Sequence, residues 1–263
     1  MSTTGPSLKE QLLSAVEDTL GPNALDTLKP TEPKPEDINE FASELNFIPS
    51  CRTQKPMPRA LRGSPASIMV GLTSECPRWI PGSIIRWAAW RAGFDSQEDA
   101  NYAALQLEIA AQKWNAADIG VTFEWVPLAK DATFVLCHGG KQPGSLAEAF
   151  FPNDNDLNYI NVYELAFTKE WRDHMWNVFT HELGHVLGLR HEFAMDSYSA
   201  MYEGGAERLG PRDPMSVMNY RREPPEMQQS DIDSTKAFYA LKSDLNGKAP
   251  YVGNTMVKDY VPM

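Results

Sequence analysis

The residues best suited to chemistry in this chain lie together at His181-Glu182-Leu183-Gly184-His185-Val186-Leu187-Gly188-Leu189-Arg190-His191, which spells H-E-x-x-H-x-x-G-x-x-H. On a helix, residues four apart share one face with Cβ atoms about 5–6 Å from each other, so the imidazoles of His181 and His185 can converge on one metal ion at bonds of roughly 2 Å. His191 cannot join them if the helix continues. At about 100° and 1.5 Å per residue it would stand some 120° around the axis from His185 and about 9 Å further along it. A break is therefore required between the second and third histidines. Gly188 is the residue type that accepts the left-handed turn that ends a helix.

Three neutral imidazoles leave a zinc ion its full charge and a fourth position for water, the arrangement of a catalytic rather than a structural site. Zinc lowers the pKa of that water towards about 7, so hydroxide is available at neutral pH. Glu182 adjoins His181 and projects on the same side, placed to take the water's proton and return it to a leaving amine. These residues predict hydrolysis of peptide bonds by a metal-activated water, with one Zn2+ ion and a polypeptide substrate. The competing expectation is a catalytically silent zinc-binding interaction or regulatory protein, in which Glu182 would have no task.

The elements that must position this site can be read from periodicity. Ser7-Leu8-Lys9-Glu10 has capping-box spacing, and Leu8, Leu12, Val16 and Leu20 recur at helical intervals until Gly21-Pro22. A proline-rich spacer follows at Lys29 to Pro35, then a short helix marked by Ile38, Phe41 and Leu45, then a basic loop from Pro49 to Pro65 that contains Cys51. Beyond it, Trp79 to Ala88 after the Pro81-Gly82 turn, Val121 to Val126, Ala132 to Cys137, Ser145 to Phe151 and Tyr159 to Tyr163 read as strands. Ser96 caps a helix carrying Tyr102, Leu105, Ile109 and Trp114. The histidine helix is expected from near Lys169 to Leu187, with Trp176, Phe179, Leu183, Val186 and Leu187 on its apolar face and the histidines elsewhere. An irregular, Gly-, Pro- and Met-rich stretch then runs to Tyr220. A last helix starts at Ser230-Asp231-Ile232-Asp233, and the rest is expected to be a tail.

Residues 1–72 thus form an N-terminal helical and proline-rich segment, either a removable prosegment or an integral support. Residues 73–245 form the catalytic domain, whose upper lobe runs to about 188, and residues 246–263 the tail. With a formal net charge of −11 the chain lacks the basic footprint that nucleic acid or an anionic membrane would need. No run approaches the roughly 18 apolar residues of a membrane span, and Met1 to Leu20 has no basic-then-apolar leader. A cytoplasmic or non-classically secreted monomer is the expectation unless a native signal was removed. Cys51, Cys76 and Cys137 are an odd count at spacings that do not suggest a disulfide framework.

Downstream of the histidines lies Ser216-Val217-Met218-Asn219-Tyr220. With the eleven-residue motif it makes the chain resemble the metzincin zinc peptidases, and among them the astacins. The resemblance implies an α+β fold: a twisted, mixed five-stranded sheet with an antiparallel edge strand, an active-site helix, an irregular lower lobe and a C-terminal helix. It implies that Met218 lies beneath the metal as a hydrophobic base. Tyr220 would be a further zinc ligand that swings out to hydrogen-bond the transition state, and a phenol is chemically able to stabilise a developing oxyanion. Glu192 matches the astacin glutamate that helps anchor the mature N-terminus. Leu146 to Pro152 and the last helix are closer to matrixins. In several metzincins a propeptide thiolate blocks the fourth zinc position, which makes Cys51 a candidate inhibitory ligand. Asn153, Asp154, Asn155 and Asp156 offer oxygens where matrixins hold Ca2+, although such a run is ordinarily only a turn. His138 and His174 have no partner at metal spacing and read as structural.

Overall fold

A computed structural model describes residues 5–32, 50–53, 75–194, 207–209, 212–221 and 225–263, with backbone alone for 50–53. Four α-helices are among the described residues: α1 (Leu8–Leu20), α2 (Gln97–Ala116), α3 (Met175–Val186) and α4 (Gln229–Ala240). The strands are β1 (Ser50–Thr53), β2 (Glu75–Trp79), β3 (Ile84–Ala89), β4 (Thr122–Trp125), β5 (Phe134–His138), β6 (Ser145–Ala149), β7 (Asn158–Val162), β8 (Tyr251–Val252) and β9 (Thr255–Tyr260). The helix expected around Ile38, Phe41 and Leu45 lies outside the described residues.

The main sheet has the order β1-β6-β7-β5-β3-β4. Its five strands β6 to β4 are the mixed sheet expected: β7, β5, β3 and β4 run parallel, and β6 joins β7 antiparallel. The sixth strand, β1, was not expected. It pairs parallel with β6, so a piece of the N-terminal segment occupies the sheet's edge.

Two other expectations are corrected. The strand expected over Trp79 to Ala88 begins only at Ile84: the anticipated Pro81-Gly82 turn is there, with Gly82 at φ +88° and Ser83 N–H donating to Ile80 C=O, and Trp79 before it belongs to β2 in a different sheet. The supposed tail at 246–263 folds back as a β8–β9 hairpin, and β9 pairs parallel with β2 in a second sheet, β2-β9-β8. Glu75 aligns with Met256 and Trp79 with Tyr260 across some 180 positions of chain, a pairing that no local pattern announces.

Ser7 and Ser96 cap α1 and α2 as their spacing predicts. α2 buries Ala100, Ala103, Ala104, Ala110 and Ala111 with Leu107 and Trp114. Small side chains let it lie close along α3, and Trp114 Nε1–H donates to Thr180 C=O at 2.9 Å. On the other face of the sheet α1 contributes Leu13 to a cluster with Ala88, Val126, Ala132 and Val135, and Lys9 Nζ–H donates to Ala132 C=O at 2.6 Å. The histidine helix starts at Met175 rather than near Lys169. Two short 3-10 turns precede it, and the Arg172 carbonyl is taken by the Tyr102 hydroxyl at 2.9 Å. Nor does α3 have one apolar face and one open one: all twelve of its residues are buried, with α2 and β6 packed against it.

Candidate metal centre

α3 carries His181, Glu182 and His185, and its C-terminus is built to release the chain. Leu187 is the cap, Gly188 follows at φ +95°, Gly188 N–H donates to His185 C=O at 2.8 Å and Leu189 N–H to Gly184 C=O at 2.9 Å. That is a Schellman closure, and it satisfies carbonyls that a helix end otherwise leaves orphaned. The next two carbonyls are taken by aromatic donors: Trp79 Nε1–H bonds Val186 C=O at 2.8 Å, and Tyr239 O–H bonds Leu187 C=O at 3.0 Å. Gly188 is required twice over. Besides its positive φ, a Cβ there would stand 2.2 Å from Pro77 O on β2.

The turn brings His191 back to the helical pair. His181, His185 and His191 are 4, 0 and 8 % exposed, and each offers a ring nitrogen within 4.8 Å of the others. Second contacts set the tautomers. The carbonyls of Val217 and Leu189 can only accept, so Nδ1 of His181 carries the proton at 2.7 Å and Nδ1 of His185 at 2.8 Å. Both Nε2 atoms are then bare; that of His181 is buried with no hydrogen-bond partner, and that of His185 lies 3.2 Å from His191 Nε2. Burial, reinforced by the neighbouring His191, pushes His181 down to about 3, and the same causes hold His185 well below its usual 6.5. Neutral imidazoles with converging lone pairs are the donor set that suits zinc.

Glu182 is fully buried beside His181. Met218 lies against Gly184: a Cβ on that glycine would come within 2.4 Å of Met218 Sδ. Gly184 is thus a site residue that the motif leaves unspecified, and its one sequence signal is a glycine inside a helix. The turn at Met218 is tied to α4 by Asp231, whose carboxylate accepts from Ser216 Oγ–H at 2.5 Å, Val217 N–H at 2.9 Å and Gln228 N–H at 2.8 Å. Asp231 therefore holds Val217, the residue whose carbonyl orients His181, a role its helix-start position did not disclose. Tyr220 is half-buried, with its ring 4.6 Å from that of His191 and 5.7 Å from that of His181. Phe193 stacks on His191 at 4.8 Å, and Phe151 meets His185 edge-on at 5.5 Å.

Glu192 N–H donates to Met218 C=O at 3.1 Å, and its carboxylate is engaged by Arg208 at 2.9 Å. The backbone of Cys51 lies on β1; its side chain is outside the described residues. Cys76 and Cys137 are free thiols, pushed up by burial to about 11 and about 12. Around the Asn/Asp-rich turn, Asn153 Nδ2–H donates to Asn158 Oδ1 at 2.9 Å, Asn155 N–H to Asn153 Oδ1 at 2.8 Å, and Lys9 N–H to Asp156 Oδ2 at 3.3 Å. Those oxygens hold the turn together. Among the described residues the metal-capable cluster is the histidine trio. His138 packs between Phe94 and Phe167.

Comparison with curated proteins gives no match. The solved structures that the chain matches include two of low identity, which are likenesses only. Myroilysin shares 15% identity over 81% of this chain and 99% of its own, with a TM-score of 0.49. High choriolytic enzyme 1, a hatching enzyme zinc-protease from Oryzias latipes (Medaka fish), shares 16% over 64% of this chain and 96% of its own, with a TM-score of 0.42. A family model described as metallo-peptidase family M12 matches residues 94–231, a span that runs from just before α2, through all three histidines and the Met218 turn, to the first turn of α4. The match covers more than half of the chain, which belongs to metallo-peptidase family M12.

Proposed function

We propose that this chain is a zinc-dependent endopeptidase of astacin-like type. The observation that carries the proposal is a buried carboxylate, Glu182, next to three buried histidines that each bring a ring nitrogen within 4.8 Å of the others. Zinc held by His181, His185 and His191 would supply a Lewis acid that polarises the scissile carbonyl and acidifies water. Glu182 receives the proton of the attacking water and passes it to the leaving amine. The Tyr220 hydroxyl donates to the oxygen that gains charge as the carbonyl is attacked. Phe193 stacks on His191 and Met218 packs against Gly184 between the helical pair, which keeps the rings in register.

The peptide enters as an added strand on the outer edge of β6. In this chain β1 holds that edge and lies alongside α3, which supports residues 1–72 as an inhibitory prosegment, with Cys51 on the occluding strand. Release of β1 opens the edge.

The test is Glu182→Ala, on the chain before and after proteolytic removal of the N-terminal segment, with bound zinc measured alongside. Peptide hydrolysis is expected to fall by about 10²–10⁴-fold while zinc is retained, and a chelator should abolish it in the wild type. If wild type and variant prove equally inert on broad peptide libraries, the chain is instead a silent zinc-binding protein of the same fold.

A further inference from the structure

Along β6 the residues are Ser145, Leu146, Ala147, Glu148 and Ala149. Four of these are buried, and Glu148 is the half-buried charge among them. Its carboxylate is held in place: Tyr163 O–H donates to Oε2 at 2.5 Å, and Tyr163 is itself 5 % exposed. Room for that phenol comes from Gly139, where a Cβ would stand 2.4 Å from the Tyr163 ring. On the inner side of β6, Glu148 is aligned with Asn161 of β7, a neutral neighbour. On the outer side the residue aligned with Glu148 is Arg52 of β1. The chain's own occupant of this edge therefore puts a cationic residue type at the register position beside a fixed anion. Aligned positions on neighbouring strands are where opposite charges interact favourably and like charges repel. The whole chain carries a formal charge of −11, which draws cationic peptides towards it.

We infer that Glu148 determines specificity: a peptide that takes the place of β1 is preferred when it carries Arg or Lys at the position in register with Glu148. This rests on the peptidase function proposed above and on β6 as its peptide-binding edge. A strand repeats its facing side chains every second residue, so the preference belongs to one position of the substrate and fades at the next facing position, about 6–7 Å away. The carboxylate is half-buried, so the discrimination is that of a partly screened cross-strand ion pair, roughly three- to fivefold.

The test uses the protein after proteolytic removal of its N-terminal segment, which clears the β6 edge, and a peptide series that differs only in having Arg, Gln or Glu at each position in turn. Wild type should show one position where kcat/KM for Arg exceeds that for Gln by roughly three- to fivefold. Glu148→Gln should bring that ratio to about one, and Glu148→Lys should transfer the preference to the Glu peptide, a gain that misfolding cannot produce. A second arm needs no turnover: hydrogen exchange of the β1 amides in the full chain should speed up in Arg52→Glu and return to the wild-type rate in Arg52→Glu/Glu148→Lys. Hydrolysis with a basic preference untouched by both Glu148 variants overturns the inference and leaves the peptidase standing. Absence of hydrolysis overturns the peptidase, and the exchange arm then judges Glu148 alone: failure of the double variant to restore protection overturns its charge recognition on this edge, and restoration supports it.

Discussion

His181 and His185 are held by means unlike those that hold His191. The first two ride on α3, whose backbone ladder and completely buried surface fix them through many small contacts. His191 stands on irregular backbone beyond Gly188. Its neighbourhood is fixed by separate polar ties: the Schellman closure, Glu192 N–H to Met218 C=O, Ala194 N–H to His191 C=O, and the carboxylate of Asp231 on the Met218 turn. A ladder loses little when one bond goes, whereas a tether can fail singly. The helical half of the site should therefore be sensitive to protonation and packing, and the irregular half to the loss of individual bonds.

Acid should give the largest effect, and it acts on the helical half. With His181 neutral in the fold down to about 3, both folded and unfolded chains are neutral there above about 6.5, and nothing is lost. Between about 6.5 and about 3 the unfolded chain takes a proton that the folded site refuses, so stability falls as pH falls. By pH 4, about 2.5 units below the unfolded value, that refusal costs about 3–4 kcal/mol, to which His185 adds in the same direction. Urea unfolding of chelator-stripped protein at pH 7 and pH 4 measures this, and a flat profile would mean that the histidines are not held neutral.

The joint between the halves comes next. Gly188→Ala combines a left-handed φ with a Cβ driven onto Pro77 O, and should cost at least about 2 kcal/mol and release His191 from the metal. Zinc content at equal protein concentration reads the second part. Retention of full zinc affinity would show that the irregular half does not depend on this turn.

Asp231→Ala tests the tether itself. It leaves two backbone N–H groups and a buried hydroxyl without their acceptor, at about 2–3 kcal/mol. Zinc dissociation should quicken, because Val217 C=O orients His181 from the same turn. If only thermal stability drops and zinc off-rates stay put, Asp231 braces α4 and not the site.

Tyr239→Phe should be the mildest, about 1–2 kcal/mol for one buried bond to Leu187 C=O with the ring's packing kept. A chemical denaturation midpoint unchanged within error would remove Tyr239 from the set of ties at the helix end.

Legibility in the sequence follows the same division. The caps at Ser7 and Ser96, four of the five strands of the mixed sheet close to their full lengths, and the ligand spacing were all readable, since each depends on neighbours within a few residues. α3 starts about two turns later than its pattern suggests, because Tyr102 on α2 takes the Arg172 carbonyl from a position distant in the chain. The role of the last residues was missed for the same reason: β9 finds β2, and Arg78 on β2 reaches both Asp259 and the last carbonyls of α4, including Leu241 C=O at 2.9 Å.

By itself the sequence determined which three histidines can meet and that the helix must break at Gly188, because helical pitch and glycine's conformational range are local and universal. Only the tertiary structure decided what holds the third histidine in place and what lies along the outer edge of β6. Met218 against Gly184, Asp231 on Ser216 and Val217, Trp79 and Tyr239 on the helix end, and β1 along β6 are contacts between residues distant in the chain. Their geometry exists only once the sheet has twisted and the layers have packed.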